Sequence, residues 1–364
     1  MNPTQFAQAL LAWFDQHGRH QLPWQQRRHA YPIWISEIML QQTQVATVLN
    51  YFPRFIDRFP TLPQLAAAPL DAVLTLWSGL GYYQRARNLH ACAQRVVAEY
   101  GGQLPPDITQ LAALPGIGRS TAGAILALAH DQRHPILDGN VRRVLCRYYA
   151  IAGWPGRAAV QRRLWQLAEQ HTPMQRVAAY TQAMMDLGAT LCRRSQPACH
   201  RCPLADGCAA HATGSEQHYP EPKPRRTLAQ KTTTMLLLQR QDGALLLQQR
   251  PPVGIWGGLW SLPEWSGSLA GDSESALVAH CQQQFGCTPQ QIESLPPFRH
   301  TFTHFHLDIT PLLLQLSSSP IVAARHSAVL ESPPQQWYKP DSFSQLGMPA
   351  PVRRLLSQLM EHPP

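Results

Sequence analysis

Four cysteines fall within one short stretch of this chain, CRRSQPACHRCPLADGC, where Cys192, Cys199, Cys202 and Cys208 are spaced C-x6-C-x2-C-x5-C. The chain opens without a secretory signal, which argues against a disulfide framework and for a metal centre. Zinc held by four cysteines normally uses two C-x2-C knuckles, and only one is present. A [4Fe–4S] cluster also takes four thiolates and tolerates uneven spacing, so the cluster is favoured over zinc. Far upstream, YPIWISEIMLQQTQV sets Glu37 among Ile, Trp, Met and Leu. A helical glutamate is ordinarily solvated. Enclosed by such neighbours, it keeps its proton toward neutral pH and can serve as a general acid.

These residues need elements to position them. LPGIGRSTA (114–122) reads as a tight glycine turn with a helix starting near Arg119, and exposed N–H groups at such a start bind phosphate oxygens. A dinucleotide fingerprint would need a preceding strand and a third glycine. A turn that merely joins two helices is the other reading. Residues 1–211 read as successive helices bounded by Pro, Gly or Asp. Residues 212–230 have linker composition. In 231–364 the pattern changes: TTTMLLLQRQDGALLLQQR is two apolar runs around a turn, and FTHFHLDITPLLLQL alternates like a strand. The expectation is a multidomain chain, all-α over 1–211 with the cysteine loop at 192–208, then an α+β domain over 231–364.

Charge is uneven. Residues 1–226 hold 23 Lys and Arg, nearly all Arg, against 13 Asp and Glu; the remainder holds 8 against 9. Such one-sided basicity fits a polyanionic partner as well as simple solubility. Cys92, Cys146, Cys281 and Cys287 are scattered and read as small buried hydrophobes. No apolar run approaches membrane-spanning length, so no membrane partner and a cytoplasmic location are expected.

Taken in order, LPGIG, the segment ILDGNVRRV (136–144) and the cysteine loop resemble the helix-hairpin-helix, iron–sulfur DNA glycosylases, a superfamily that includes endonuclease III and the MutY-like adenine glycosylases. The likeness covers essentially all of 1–211. It implies one [4Fe–4S] cluster on the four cysteines. It places Asp138 at the catalytic aspartate position with Asn140 beside it, and sets Gly116, Gly118, Arg193, Arg194 and Arg201 against the DNA backbone. Lyase members carry a lysine where this chain has Ser120, and serine has no amine for a Schiff base, so base removal without strand cleavage is implied. Glu37 occupies a position where MutY-like members, but not endonuclease III-like ones, have glutamate. Its implied role is to protonate a flipped adenine while ionised Asp138 stabilises an oxocarbenium-like sugar. By the same resemblance Arg19, Trp24 and Gln182 line the adenine site. Gln41 and Gln42 enter the duplex gap, and Tyr82 wedges between bases. Trp24 and Tyr82 would suit a core equally well.

In the second region, RPPVGIWGGLWSLPEW (250–265) resembles the approach to the catalytic helix of Nudix hydrolases. The acidic cluster of that helix is replaced by AHCQQQFGC (279–287), which cannot cage magnesium, so a Nudix-like domain that binds without hydrolysing is expected. RHTFTHFHLDI resembles the loop that reads 8-oxoguanine. Phe302, Thr303 and His304 stand where the family has Phe-Ser-His, although three histidines in a strand also suit half-buried packing. The combined expectation is a monomeric DNA repair glycosylase acting on double-stranded DNA with A:8-oxoG or A:G mispairs. Two alternatives are an endonuclease III-like pyrimidine glycosylase with lyase activity and a non-catalytic iron–sulfur DNA-binding protein. Ser120, Glu37 and the second domain count against the first; the presence of both acids counts against the second.

Overall fold

The structure is a computed structural model that describes residues 1–361 apart from 27, 225–226, 253, 268, 270–273 and 317–333. It divides into two compact units, residues 1–68 with 84–225, and residues 69–83 with 226–364. No described helix is long and apolar enough to cross a membrane.

The first unit is helical. Five helices frame the candidate residues: α1 (Ala30–Leu40), α2 (Gln84–Tyr100), α3 (Arg119–His130), α4 (Gly139–Tyr148) and α5 (Val177–Thr190). Helix α1 is apolar nearly all round and buries Ile33, Trp34, Ile35, Ile38 and Met39, the pattern of a helix enclosed by others. It packs on α3, which is buried from Ala122 to Ala127. Helix α5 is buried along most of its length and packs on α3, α4 and the N-terminal helix Pro3–His17. The close approach of α4 and α5 depends on Gly188. A Cβ there would lie 2.5 Å from Asn140 Cβ and 2.9 Å from Asn140 Cα.

The second unit is a mixed sheet of eight strands among the described residues: β1 (Ala229–Gln239), β2 (Leu245–Gln249), β3 (Trp260–Ser261), β4 (Glu264–Trp265), β5 (Pro289–Ser294), β6 (Phe298–Thr301), β7 (Phe305–Leu316) and β8 (Gln335–Tyr338). The main order is β3-β2-β1-β7-β5. Strands β1 and β7 pair in parallel from Ala229 opposite Phe305 to Gln239 opposite Gln315. Their apolar stretches are buried continuously, as parallel strands covered on both faces require. Helix α6 (Glu274–Phe285) seats Leu277 and Cys281 against Leu236, Leu238, Leu312 and Leu314. Pro311 is tolerated in β7 because its antiparallel neighbour changes there, from β6 up to Ile309 to β5 from Leu312. The scattered cysteines 92, 146, 281 and 287 are all buried.

The segment 69–83 is a helix, Leu70–Trp77, followed by a glycine-rich turn, and it belongs to the sheet unit despite its place in the helical stretch of sequence. Gln249 Nε2 donates to Asp71 Oδ1 (3.0 Å), Tyr83 Oη donates to the Met348 carbonyl (2.9 Å), and Gly347 packs against Leu74.

Gly188→Ala is expected to force α4 and α5 apart and to cost about 2 kcal/mol of stability, measured by urea denaturation. A variant as stable as the parent would show that the two helices part without penalty.

Candidate active site

Two carboxyl groups meet between α1 and α4. Glu37, on α1, is half-buried, and its pKa is pushed up to about 8, first by burial and then by the negative charge of Asp138. Among the described residues no hydrogen-bond donor reaches its carboxyl group. Asp138 is the N-cap of α4. Its side chain accepts from Val141 N at 2.8 Å and from Asn140 Nδ2 at 3.1 Å. Burial leaves Asp138 raised as well, although these hydrogen bonds and the charge of Arg143 offset part of that rise. Both groups are desolvated and only Asp138 has donors for its charged form, so Asp138 ionises first and Glu37 keeps the proton. Two acids whose surroundings push them apart in this way can divide acid and anion roles.

Ser120, on the first turn of α3, accepts from Leu137 N at 2.9 Å. Its hydroxyl therefore fixes the backbone immediately before Asp138. Of the two turn glycines, Gly116 has φ 77°, and a Cβ there would sit 2.8 Å from Asn88 Cβ on α2, so packing within the protein already demands glycine. Gly118 caps α3 in an extended conformation with open space where a side chain would be.

A hydrogen-bonded chain runs from Asp138 to the cysteine loop. Asn140 Oδ1 accepts from Arg143 Nη2 (2.8 Å), and Arg143 Nε donates to the Cys192 carbonyl (2.7 Å). One turn further along α4, buried Arg147 donates to the carbonyls of Arg193 (2.6 Å), Arg194 (3.0 Å), Glu216 (2.9 Å) and Tyr219 (3.0 Å), and to Cys192 Sγ at 3.4 Å. Cys192, Cys199, Cys202 and Cys208 line one cavity with Val144, Leu187, Leu191 and Leu204, and Cys192 is within electrostatic reach of the other three. Four thiols around one cavity, with Arg147, His211 and Glu216 also in its wall, fit a thiolate-held metal centre. Arg193, Arg194 and Arg201 stand exposed on the outside of the loop.

Sequence reading missed the residue that organises the neighbouring pocket. Asp186, fully buried on α5, binds Arg19 through its backbone N (2.7 Å), Nε (2.9 Å) and Nη2 (2.6 Å), and accepts from Gln182 Nε2 at 2.8 Å. An acid one turn after Gln182 on an otherwise apolar helix was the available signal. Gln182 and Trp24 line a cavity of about 220 Å³ together with Gln25, Arg28, Leu128 and Ala178. Trp24 is itself buried edge-to-face on Phe52, 5.3 Å between centroids.

Arg85 was also missed. Buried on α2, it donates to the carbonyls of Ile38 (2.9 Å), Met39 (2.7 Å) and Gln41 (2.6 Å) and to Thr43 Oγ1 (3.1 Å). It thereby caps the end of the helix that carries Glu37. Beyond that cap Gln42 is exposed with a left-handed φ of 59°, while Gln41 Nε2 reaches Thr121 Oγ1 at 3.5 Å.

The remaining candidates lie in the sheet unit. Tyr82 follows Gly81, both with positive φ, and is 46% exposed. Phe302, Thr303 and His304 form the tip of the β6–β7 hairpin, closed by Phe302 N donating to the Phe305 carbonyl at 2.9 Å. Thr303 and His304 are exposed, whereas Phe302 is half-buried and stacks on Phe305, 4.5 Å between centroids.

Residues 35–170 match the HhH-GPD superfamily of base excision DNA repair proteins, and residues 234–358 match the NUDIX domain. The structure is similar to that of a thermostable thymine-DNA glycosylase, with TM-score 0.53 and 26% identity over 58% of this chain and 97% of that one. Fold and site together define a base-excision DNA glycosylase with a NUDIX-like domain. The chain is 36% identical to the adenine DNA glycosylase of Buchnera aphidicola subsp. Acyrthosiphon pisum over 98% of each chain, and 37% identical to the human adenine DNA glycosylase over 84% of this chain and 66% of that one. It belongs to the adenine DNA glycosylase family. Membership decides against the pyrimidine-lyase and non-catalytic readings.

The raised pKa of Glu37 has a stability consequence. Unfolded, the carboxyl ionises near its ordinary value; folded, it holds its proton to about 8, so stability falls as pH rises between those limits. Glu37→Gln is expected to be more stable than the parent by ~1–3 kcal/mol at pH 8. The gain should vanish near pH 4 in urea titrations. A difference that does not change with pH would mean that Glu37 ionises normally.

Proposed function

We propose that this enzyme removes adenine mispaired with 8-oxoguanine, and less readily with guanine, by hydrolysis of the N-glycosidic bond. The observation that carries the chemistry is the pairing of Glu37, which desolvation holds protonated toward neutral pH, with Asp138, whose charged form has the hydrogen-bond donors that Glu37 lacks. With adenine flipped out of the helix, Glu37 donates its proton to the base and makes it a better leaving group. The C–N bond electrons leave with adenine, and the Asp138 carboxylate stabilises the positive charge developing on the sugar. Water adds to the sugar carbon and surrenders a proton to the Glu37 carboxylate, restoring the acid and leaving free adenine and an abasic site. Ser120 offers no amine to form a Schiff base, so the strand stays intact.

The other site residues serve binding in this reading. Arg19, Trp24 and Gln182 enclose the flipped base, with Asp186 fixing two of them. Gln41, Gln42 and Tyr82 fill the vacated stack. The amides of the Gly116–Gly118 turn and the side chains of Arg193, Arg194 and Arg201 hold phosphates. Asn140 orients Asp138. Cys192, Cys199, Cys202 and Cys208 would hold one [4Fe–4S] cluster, whose iron–thiolate bonds cross-link the loop when it is bound. In the sheet unit, Thr303 and His304 read 8-oxoguanine opposite the adenine, with Phe302 behind them; Thr303 keeps the hydroxyl of the family serine.

Protein in excess over duplexes with A:8-oxoG or A:G, followed by alkali to cut abasic sites, tests this reading. Excision by the parent is expected, fastest on A:8-oxoG, with a loss of ~10³ in rate for Glu37→Gln. No parent excision, or an unchanged Glu37→Gln, overturns it, as does efficient borohydride trapping. The single-turnover rate should fall about tenfold per pH unit above about 8, where Glu37 loses its proton. For the metal centre, a brown protein with broad visible absorption that bleaches in Cys202→Ser is expected; a colourless zinc protein would refute the cluster.

A further inference from the structure

Trp256 has a left-handed backbone, φ 55°, which a bulky side chain rarely adopts. Its loop is tightly held around it. Arg250 Nε donates to the Ile255 carbonyl at 2.9 Å, and Gly258 N approaches the carbonyls of Arg250 and Pro251 at 3.1 Å each. At Gly257 a Cβ would stand 2.5 Å from the Pro252 carbonyl oxygen. The loop is thus too tight to relax easily, and the tryptophan is 9% exposed.

Besides the Arg250 guanidinium, 5.8 Å from its centroid, the ring meets the β6–β7 hairpin. Its centroid lies 5.4 Å from that of Phe302 and 5.7 Å from that of His300. His300 meets Phe302 edge-on at 4.6 Å, and Phe302 stacks on Phe305 at 4.5 Å. Phe302 is therefore held among the rings of Trp256, His300 and Phe305, with His304 at 6.2 Å, and its backbone N–H closes the turn that carries Thr303 and His304. A shift of Phe302 is a shift of the exposed tip.

We propose that Trp256 is a positioning residue for specificity: it clamps Phe302 so that Thr303 and His304 are presented in one geometry to the base opposite the adenine. This rests on the hairpin being the 8-oxoguanine reader. Trp256 itself touches no substrate. Because a rigid tip matters most where hydrogen bonds must be matched, the effect falls on A:8-oxoG and spares A:G.

The test is the ratio of kcat/KM for adenine excision from A:8-oxoG and A:G duplexes. Trp256→Gly removes the ring while making the left-handed backbone easy to adopt. It is expected to lower the ratio about tenfold, with A:G excision within about threefold of the parent. Trp256→Phe, which keeps an aromatic face, should recover part of the ratio. If thermal melting shows that Trp256→Gly does not fold, Phe302→Leu removes the ring on the other side of the contact and should also lower the ratio. The paired variant Thr303→Ala with His304→Ala tests the reader itself and should also lower the ratio. If that pair loses discrimination while Trp256→Gly keeps it, the clamp is wrong and the reader stands. If the pair keeps full discrimination, the reader is wrong and the clamp falls with it. Equal losses on both duplexes would reduce Trp256 to a general structural residue and overturn the proposal.

Discussion

Helix α4 is held by its own arginines, and the site is built around that grip. Asp138 caps the helix, Arg143 and Arg147 reach from its flank into the cysteine loop, and Gly188 of α5 presses against its first turn. Beyond Asn140 Oδ1 for Arg143 and Cys192 Sγ for Arg147, the arginines spend their donors on backbone carbonyls, groups that a point-mutated partner side chain could not remove. The geometry of a guanidinium fork suits this better than an ammonium would, since several carbonyls in different directions must be met at once. Asp138 and the loop that carries exposed Arg193, Arg194 and Arg201 therefore share one rigid support.

The acid pair depends on unequal solvation. Both carboxyls are withdrawn from water, but only Asp138 receives N–H donors in return. A donor placed beside Glu37 would lower its pKa and remove the difference between the two. The same economy of donors explains Ser120: its hydroxyl serves the backbone at Leu137, so replacing it disturbs the approach to Asp138 as well as the local chemistry. The apolar lining of α1 is in this sense chemical as well as structural.

Much of this was readable from residue order. The apolar neighbours of Glu37 foretold its burial and its retained proton, the glycine turn foretold α3 starting at Arg119, and the apolar runs around Gln-Asp-Gly foretold β1 and β2. The residues that escaped share a physical reason. Asp186, Arg85 and Arg147 act on groups distant in sequence, and two of them act on backbone carbonyls, which carry no residue identity for a motif to record. Trp256 escaped because a left-handed φ is a property of the folded loop, and glycine neighbours merely permit it. Phe302 was read as part of the tip, but it is half-buried with its ring in an aromatic cluster and leaves Thr303 and His304 outward.

Periodicity could not assign Leu70–Trp77 to its unit either, since an amphipathic helix shows that it has a buried face but not what covers it. That membership matters during synthesis. Val73 and Leu74 leave the ribosome with the helical unit, yet Gly258 and Gly347, against which Leu74 packs, follow only after residues 84–225. At ordinary elongation rates that delay is roughly ten to thirty seconds. The sheet unit cannot close before the helical unit has been made in full, and a nascent chain halted between them carries an apolar helix still waiting for its cover.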